Sequence, residues 1–292
     1  MNVLITGGTG LIGRTLINNL LSDGHKISIL TRNIVDAKAK IPTGVLAYQW
    51  NAENLEGWAH IIEDMDAVIN LAGESIAGDT LLAILTRRWT PEQKKRIEQS
   101  RIQSGNALSK AIQIASRKPD VYIQSSAVGF YGPQGSNTIN EKSPAGNDFL
   151  SKVCQSWETS SMDTEKMGIR RVVIRTGLVF TSEGGILPMM LLPFRLFVGG
   201  PIGRGEQYIS WIHIQDQVNA IRYLLTNQNS YGAYNLTAPN PVTSKEFGKI
   251  AGKVLNRPNY YPVPSFSLKL ALGEKATLVL DGQLAVTQKL DE

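Results

Sequence analysis

Short apolar runs alternate with longer helix-period segments over the first two thirds of the chain. Val3–Ile5, Lys26–Leu30, Ala67–Leu71, Val121–Gln124 and Arg171–Ile174 are brief and rich in branched apolar residues, which reads as strand. Leu11–Ser22, Pro91–Ser116 and Phe149–Lys166 read as helix. Strands separated by helices need crossover connections, so the pattern predicts an α/β fold: a doubly wound parallel sheet with helices on both faces. Two helix starts carry their own signal. Thr90-Pro91-Glu92-Gln93 sets a Thr at the cap, Pro at the first helical position and Gln at the box position, and Thr243-Ser244-Lys245-Glu246 opens a second box for a helix reaching about Leu255. After Thr176 the alternation ends. Gly and Pro cluster at Gly184-Gly185, Gly199-Gly200-Pro201 and Pro239 to Pro241. This predicts a main domain over residues 1–176 and a smaller, partly interleaved region over 177–292 that forms a cleft above the strand C-termini, where open α/β sheets bind ligands.

Composition narrows the classes. Dividing 292 residues by roughly 150 per domain gives a prior of two comparable domains; the pattern replaces it with one large domain and a cap. A single cysteine, Cys154, excludes an intrachain disulfide and fits a reducing compartment, so a cytoplasmic location is expected. The net charge of +5 is spread without a basic stripe, which argues against a nucleic-acid partner. The longest apolar stretch, Leu187 to Phe194, is far short of the ~20 residues of a membrane span, and Met1 runs directly into Asn2-Val3-Leu4-Ile5-Thr6 without a leader pattern. His25, His60 and His213 have no ligand spacing, so no metal is expected, and no Gly-x-Ser-x-Gly elbow is present.

Gly7-Gly8-Thr9-Gly10-Leu11-Ile12-Gly13 follows a strand and opens a helix, the context that turns a glycine pattern into a dinucleotide fingerprint. Gly7 permits the tight turn, Gly10 the close approach of a pyrophosphate, and Gly13 the packing of helix on sheet. With Thr9, Leu11 and Ile12 they form the expected phosphate cradle of a Rossmann-type fold. An ordinary Gly-rich turn is the bland rival. An adenosyl-methionine methyltransferase is disfavoured by the spacing. The second strand ends Leu30-Thr31-Arg32-Asn33, with no carboxylate before Asp36. NAD-selective folds place an acid there for the ribose 2′-hydroxyl, whereas Arg32 suits a 2′-phosphate, so NADP is favoured over NAD. The alternative for Arg32 is a solvated strand-end charge.

These residues resemble the short-chain dehydrogenase/reductase superfamily and its extended branch of sugar-nucleotide epimerases and dehydratases. Asn70-Leu71-Ala72-Gly73-Glu74, Arg88-Trp89-Thr90, Ser126-Ala127-Val128-Gly129-Phe130-Tyr131-Gly132, Leu192-Pro193-Phe194-Arg195, Ser210-Trp211-Ile212-His213 and Leu280-Asp281-Gly282-Gln283 together resemble its atypical, epimerase-like subfamily of bacteria and organelles, whose substrate is unassigned. The likeness spans nearly the whole chain. It implies that Leu71, Ala72 and Gly73 lie against the cofactor, that the loop from Gly73 to Trp89 closes over it, and that Gly199–Gln207 with Arg204 resembles the segment meeting nucleotide-sugar phosphates. It also implies a strand at Trp211–His213 ahead of a helix capped by Asp216, with His213 structural.

The usual catalytic set of that branch is a Ser or Thr, a Tyr, and a Lys four residues later whose ammonium stabilises the phenolate. None of the nine tyrosines here has Lys at the fourth following position. Aligned on the family pattern, Ala127 takes the Ser place, Leu150 and Cys154 the Tyr and Lys places, and Arg101 the place of a structural Asn. Glu74, Ser126 and Tyr131 are the replacement candidates for proton transfer or substrate binding. Their bland alternatives are a solvated loop acid, a strand-end Ser bonded to backbone and a packing Tyr; Ser125 shares the role and the alternative of Ser126. Cys154 reads as a small buried helix residue. Arg101 is expected to meet the dinucleotide phosphates or an acidic substrate, against the alternative of an exposed helix charge. The expected function is an NADP-dependent epimerase or oxidoreductase acting on a small polar molecule, nucleotide sugars included, by hydride transfer with a nonstandard proton donor. The competing class is a catalytically silent NADP-binding sensor or scaffold. Exposed helix faces leave room for a homodimer.

Overall fold

The computed structural model describes residues 1–76 and 88–290. Its centre is seven strands: Asn2–Thr6 (β1), Lys26–Thr31 (β2), Leu46–Gln49 (β3), Ala67–Asn70 (β4), Val121–Ala127 (β5), Arg170–Thr176 (β6) and Gly232–Leu236 (β7). They lie in the order β3-β2-β1-β4-β5-β6-β7 and every pairing is parallel. The Rossmann-like order turns back on itself between β1 and β4, which opens a crevice at their C-terminal ends.

Alternation along the strands feeds two cores. Ile5, Ile29, Ile69 and Ile123 point to one face, where Leu16, Ile17 and Leu20 of the Leu11–Ser22 helix and Val218, Ile221 and Leu224 of the Ile214–Thr226 helix cover them. Leu4, Leu30, Val68 and Tyr122 point to the other, under Leu108, Ala111 and Ile112 of the Pro91–Ile114 helix and under Trp58 and Ile62. A parallel sheet buried on both faces accounts for the nearly continuous apolar runs in the sequence.

Beyond Thr176 the chain adds β7 to the sheet edge and builds small ribbons above it. Leu178–Phe180 pairs with Trp211–His213, Tyr208–Ile209 with Val242–Thr243, and Thr138–Ile139 with Leu284–Ala285. No described helix is long and apolar enough to cross a membrane. Residues 77–87 of the expected closing loop lie outside the described residues.

Several boundaries differ from expectation. The segment expected as one helix is two, Phe149–Thr159 and Asp163–Lys166. The interruption lies where Ser160 packs directly on Gly105 of the neighbouring helix, too close for any side chain at position 105, and where Arg171 takes the Glu158 carbonyl and the Ser161 hydroxyl. Both capping boxes form, at Thr90/Gln93 and Thr243/Glu246. The Ile214–Thr226 helix, however, is capped by His213, whose Nδ1 accepts from the Gln215 amide, and not by Asp216, which sits in the first turn.

Candidate functional site

The crevice begins with the glycines. Gly7 has φ +68°, and a Cβ there would lie 2.7 Å from the Leu71 carbonyl oxygen, so the β1 turn and the end of β4 touch backbone to backbone. A Cβ on Gly13 would collide with the Gly7 carbonyl oxygen and come within 2.7 Å of the Gly8 Cα. Gly10 caps the Leu11–Ser22 helix without a side chain over its first turn, which leaves the first-turn amides free for a ligand oxygen. Leu11 and Ile12 are half-buried beside it, and the Gly184-Gly185 turn rests on Leu11. Side chains at Gly7 or Gly13 would run into backbone and force the turn apart, so the bare turn with its free first-turn amides fits a dinucleotide pyrophosphate. Thr9 lies half-exposed in the same turn. Arg32 is exposed just past β2, where no hydrogen bond or ion pair from the described residues engages its side chain, while Asp36 is engaged by the Asn33 amide at 2.9 Å.

A buried polar network ties the crevice floor. Thr6 Oγ1 donates to Asn70 Oδ1 at 2.6 Å, Asn70 Nδ2 donates to Gln124 Oε1 at 3.2 Å, and the Ala72 amide donates to Thr6 Oγ1 at 3.2 Å. Satisfied in this way, three strand ends are held in one register. Gly73 leads to Glu74, whose amide donates to Ser100 Oγ at 3.0 Å and whose carboxylate lies 3.6 Å from Arg96 Nε. Behind Gly73 sits Arg101, only 6% exposed, with Nη1 donating to the Ile97 carbonyl at 2.8 Å and Cζ 4.8 Å from the Trp157 ring centre. Burial holds its pKa below the usual guanidinium value, against the pull of Cys154 and Glu74.

The wall after β5 is a second network. Ser126 Oγ donates to Glu158 Oε1 at 2.7 Å. Arg175 grips Glu158 with Nε on Oε1 and Nη2 on Oε2, both at 2.9 Å, and donates through Nη1 to the Tyr131 hydroxyl at 2.9 Å. Tyr131 in turn donates to Asn235 Oδ1 at 2.7 Å. Its ring is fully buried, and burial raises its pKa despite Arg175. The structure therefore gathers Ser126 and Tyr131 on one Glu–Arg pair and leaves Glu74 apart, beside Ser100 and Arg96. Cys154 is buried beside them, its thiol pushed up to about 11 by burial and by Glu158. Native protein at pH 8 is accordingly expected to resist iodoacetamide at Cys154 and to react fully once unfolded, as read by mass spectrometry; equal native and unfolded rates would contradict the burial.

Next to this wall lies a cavity of about 190 Å³, lined by Trp89, Gly129, Pro133, Asp148, Phe149, Leu150, Glu274, Thr277, Asp281 and Gln283. Trp89 and Phe149 meet edge to face with centroids 5.4 Å apart. Asp148 caps the Phe149–Thr159 helix through the Ser151 amide at 3.0 Å, and Glu274 pairs with Lys94. Asp281 makes no side-chain hydrogen bond among the described residues, and its pKa is raised by burial and by Asp148, against Lys269. Arg204 is exposed and does not line this cavity. Sequence reasoning missed Arg175, Asn235 and Asp281 as site residues: the first two are core positions of strands, and Asp281 carried only the family-like Leu280-Asp281-Gly282-Gln283 segment as a signal.

Comparison with known proteins agrees with this geometry. The sequence matches the NAD dependent epimerase/dehydratase family over residues 3–237. It is 40% identical to the epimerase family protein SDR39U1 homolog of Arabidopsis thaliana, a chloroplastic protein, over 100% of this chain and 82% of that one. It is 41% identical to the epimerase family protein YfhF of Bacillus subtilis, over 99% and 91% of the two chains. The crystal structure of human epimerase family protein SDR39U1 with NADPH superposes with a TM-score of 0.81 at 32% identity, over 98% of this chain and 91% of that one. A UDP-glucose 4-epimerase from Thermotoga maritima shares the fold with a TM-score of 0.77 at 16% identity, over 100% and 91%. The chain belongs to the NAD dependent epimerase/dehydratase family.

Proposed function

We propose that the protein is an NADP-dependent oxidoreductase or epimerase of small polar substrates, working without the Ser-Tyr-Lys set. The observation that carries this is the union of a side-chain-free phosphate cradle with Arg32, instead of an acid, at the end of β2. Gly7, Thr9, Gly10, Leu11, Ile12 and Gly13 would hold the pyrophosphate, Leu71, Ala72 and Gly73 would flank the ribose side, and Arg32 would take the 2′-phosphate. The human relative with NADPH supports the choice of cofactor. When bound, the nicotinamide supplies a hydride donor or acceptor. In this chain's own chemistry, Glu158 and Arg175 fix the β5 wall through Ser126 and Tyr131, so those two hydroxyls orient the wall. Asp281, open at the cavity and without a bonded partner, is the proton-exchanging group, with Glu74 the candidate on the crevice side.

Arg32→Ala is expected to weaken NADPH about 10-fold to 100-fold, the loss of charge-assisted bonds to a phosphate, and to leave NADH within about twofold. Calorimetric titration of both nucleotides measures this, and equal losses would remove the 2′-phosphate role. Turnover decides against the silent-binder alternative, which the replacement of the catalytic set by Ala127, Leu150 and Cys154 favours. Carbonyl compounds and nucleotide sugars that leave nicotinamide absorbance and product mass spectra unchanged would support a sensor.

A further inference from the structure

Arg101 is a buried cation with no ion pair among the described residues. Among the described residues its side chain makes a single hydrogen bond, from Nη1 to a carbonyl of its own helix. A Cβ placed on Gly73 would lie 3.1 Å from Cζ, 3.2 Å from Nη2 and 3.3 Å from Nε, nearly equal distances that put the glycine over the flat face of the guanidinium. One face is thus covered by the end of β4, and Nη1 is spent on Ile97. What is left is the Nε–Nη2 edge, which matches a carboxylate in two-point fashion. Burying a charge costs several kcal/mol unless an opposite charge meets it, and the nearest acid acting on it, Glu74, makes no ion pair with it and sits closer to Arg96.

Position strengthens the case. Leu150, Cys154 and Trp157 follow one another at spacings of four and three along one face of the Phe149–Thr159 helix. Leu150 lines the cavity and Trp157 lies against Arg101, a helix rise of about 10 Å away. Between them is Cys154, uncharged, at the place where the family pattern has Lys. The guanidinium therefore lies behind the crevice end at Gly73, against the same helix whose Leu150 reaches the cavity. The described cavity lining holds three carboxylates, Asp148, Glu274 and Asp281, and no Lys or Arg, a surface that disfavours any further negative charge on the part of a molecule reaching it from Arg101.

We infer that Arg101 is the substrate-carboxylate site of this protein, and that its substrates are small monocarboxylates carrying a hydroxyl or carbonyl and no phosphate. The carboxylate would sit on the Nε–Nη2 edge, with the remainder of the molecule toward the cavity; the assignment rests on the cofactor reading above for its reaction but not for its binding.

Lactate, pyruvate and, separately, inorganic phosphate are titrated into the full-length protein with and without NADPH, following melting temperature and calorimetric heat. A monocarboxylate is expected to stabilise the wild type and phosphate is not. Arg101→Lys keeps a charge but loses the fork, and is expected to weaken the carboxylate about 10-fold or more, with Arg101→Met losing it altogether, while NADPH stays within about threefold. Three results overturn the assignment: no stabilisation of wild type by either acid, stabilisation that survives in Arg101→Met, or an NADPH loss in Arg101→Lys as large as the carboxylate loss. Failure of NADPH to bind wild type that still takes lactate would instead sink the cofactor reading alone.

Discussion

Gly13→Ala is expected to lower NADPH affinity by about 100-fold while leaving the protein folded. The added carbon would run into the Gly7 carbonyl and the Gly8 Cα, both backbone atoms of the same turn, so no side chain can rotate away. The Leu11–Ser22 helix is anchored in the core by Leu16, Ile17 and Leu20, so relief must come from the turn. Moving the turn takes the first-turn amides off the phosphate position. Gly10→Ala is a graded control: its Cβ would meet only the Gly7 oxygen, at 3.2 Å, and a loss of about 10-fold is expected. Nicotinamide fluorescence titration reads both. Affinity in Gly13→Ala within threefold of wild type would show that the cradle does not hold the dinucleotide.

The largest effect on stability is expected from Glu158→Ala. Both Glu158 oxygens are bonded to Arg175, and both side chains are nearly buried, at 13% and 7% exposure. Removing the carboxylate leaves the guanidinium desolvated with the Tyr131 hydroxyl as its remaining acceptor among the described residues, a loss of about 3–5 kcal/mol. That is a large share of the ~5–15 kcal/mol of a whole domain. Urea unfolding at pH 7 with an unchanged slope would record it. The double replacement Glu158→Ala with Arg175→Met is expected to recover much of the loss, because it removes the stranded charge as well as its partner. A single-variant cost under about 1 kcal/mol would mean that solvent reaches Arg175.

What could be read from the sequence was local. The glycine turn, the two capping boxes and five strands each declare themselves within a dozen residues, because turn sterics and first-turn amides are satisfied by neighbours in the chain. The strands that escaped, Leu46–Gln49 and Gly232–Leu236, have reasons: the first is a half-exposed four-residue edge, and the second follows a Gly-Ala start with little apolar content. The break at Ser160 was hidden because it comes from Gly105, more than fifty residues away in sequence. Site chemistry was harder still. Arg175 reads as one more charged residue in a strand until Glu158, Tyr131 and Asn235 arrive around it from three other elements. Glu74, Ser126 and Tyr131 were named from their position after strand ends, a guide to neighbourhood and not to which hydrogen bonds each side chain keeps.

The short pairing of Leu284–Ala285 with Thr138–Ile139 is reinforced by Ser210, which donates to the Gln283 carbonyl at 2.6 Å and accepts from the Ala285 amide at 2.9 Å, and by Asn235, which donates to the Val286 carbonyl at 2.9 Å. It carries Asp281 and Gln283 to the cavity. Seen in order of synthesis, the two halves of the site are separated by most of the chain. The glycine turn and the β4 backbone it touches are complete by residue 73, whereas the cavity wall closes only after residue 283 has left the ribosome. All residues of the proposed cradle are thus synthesised some two hundred residues before the last residue of the cavity wall.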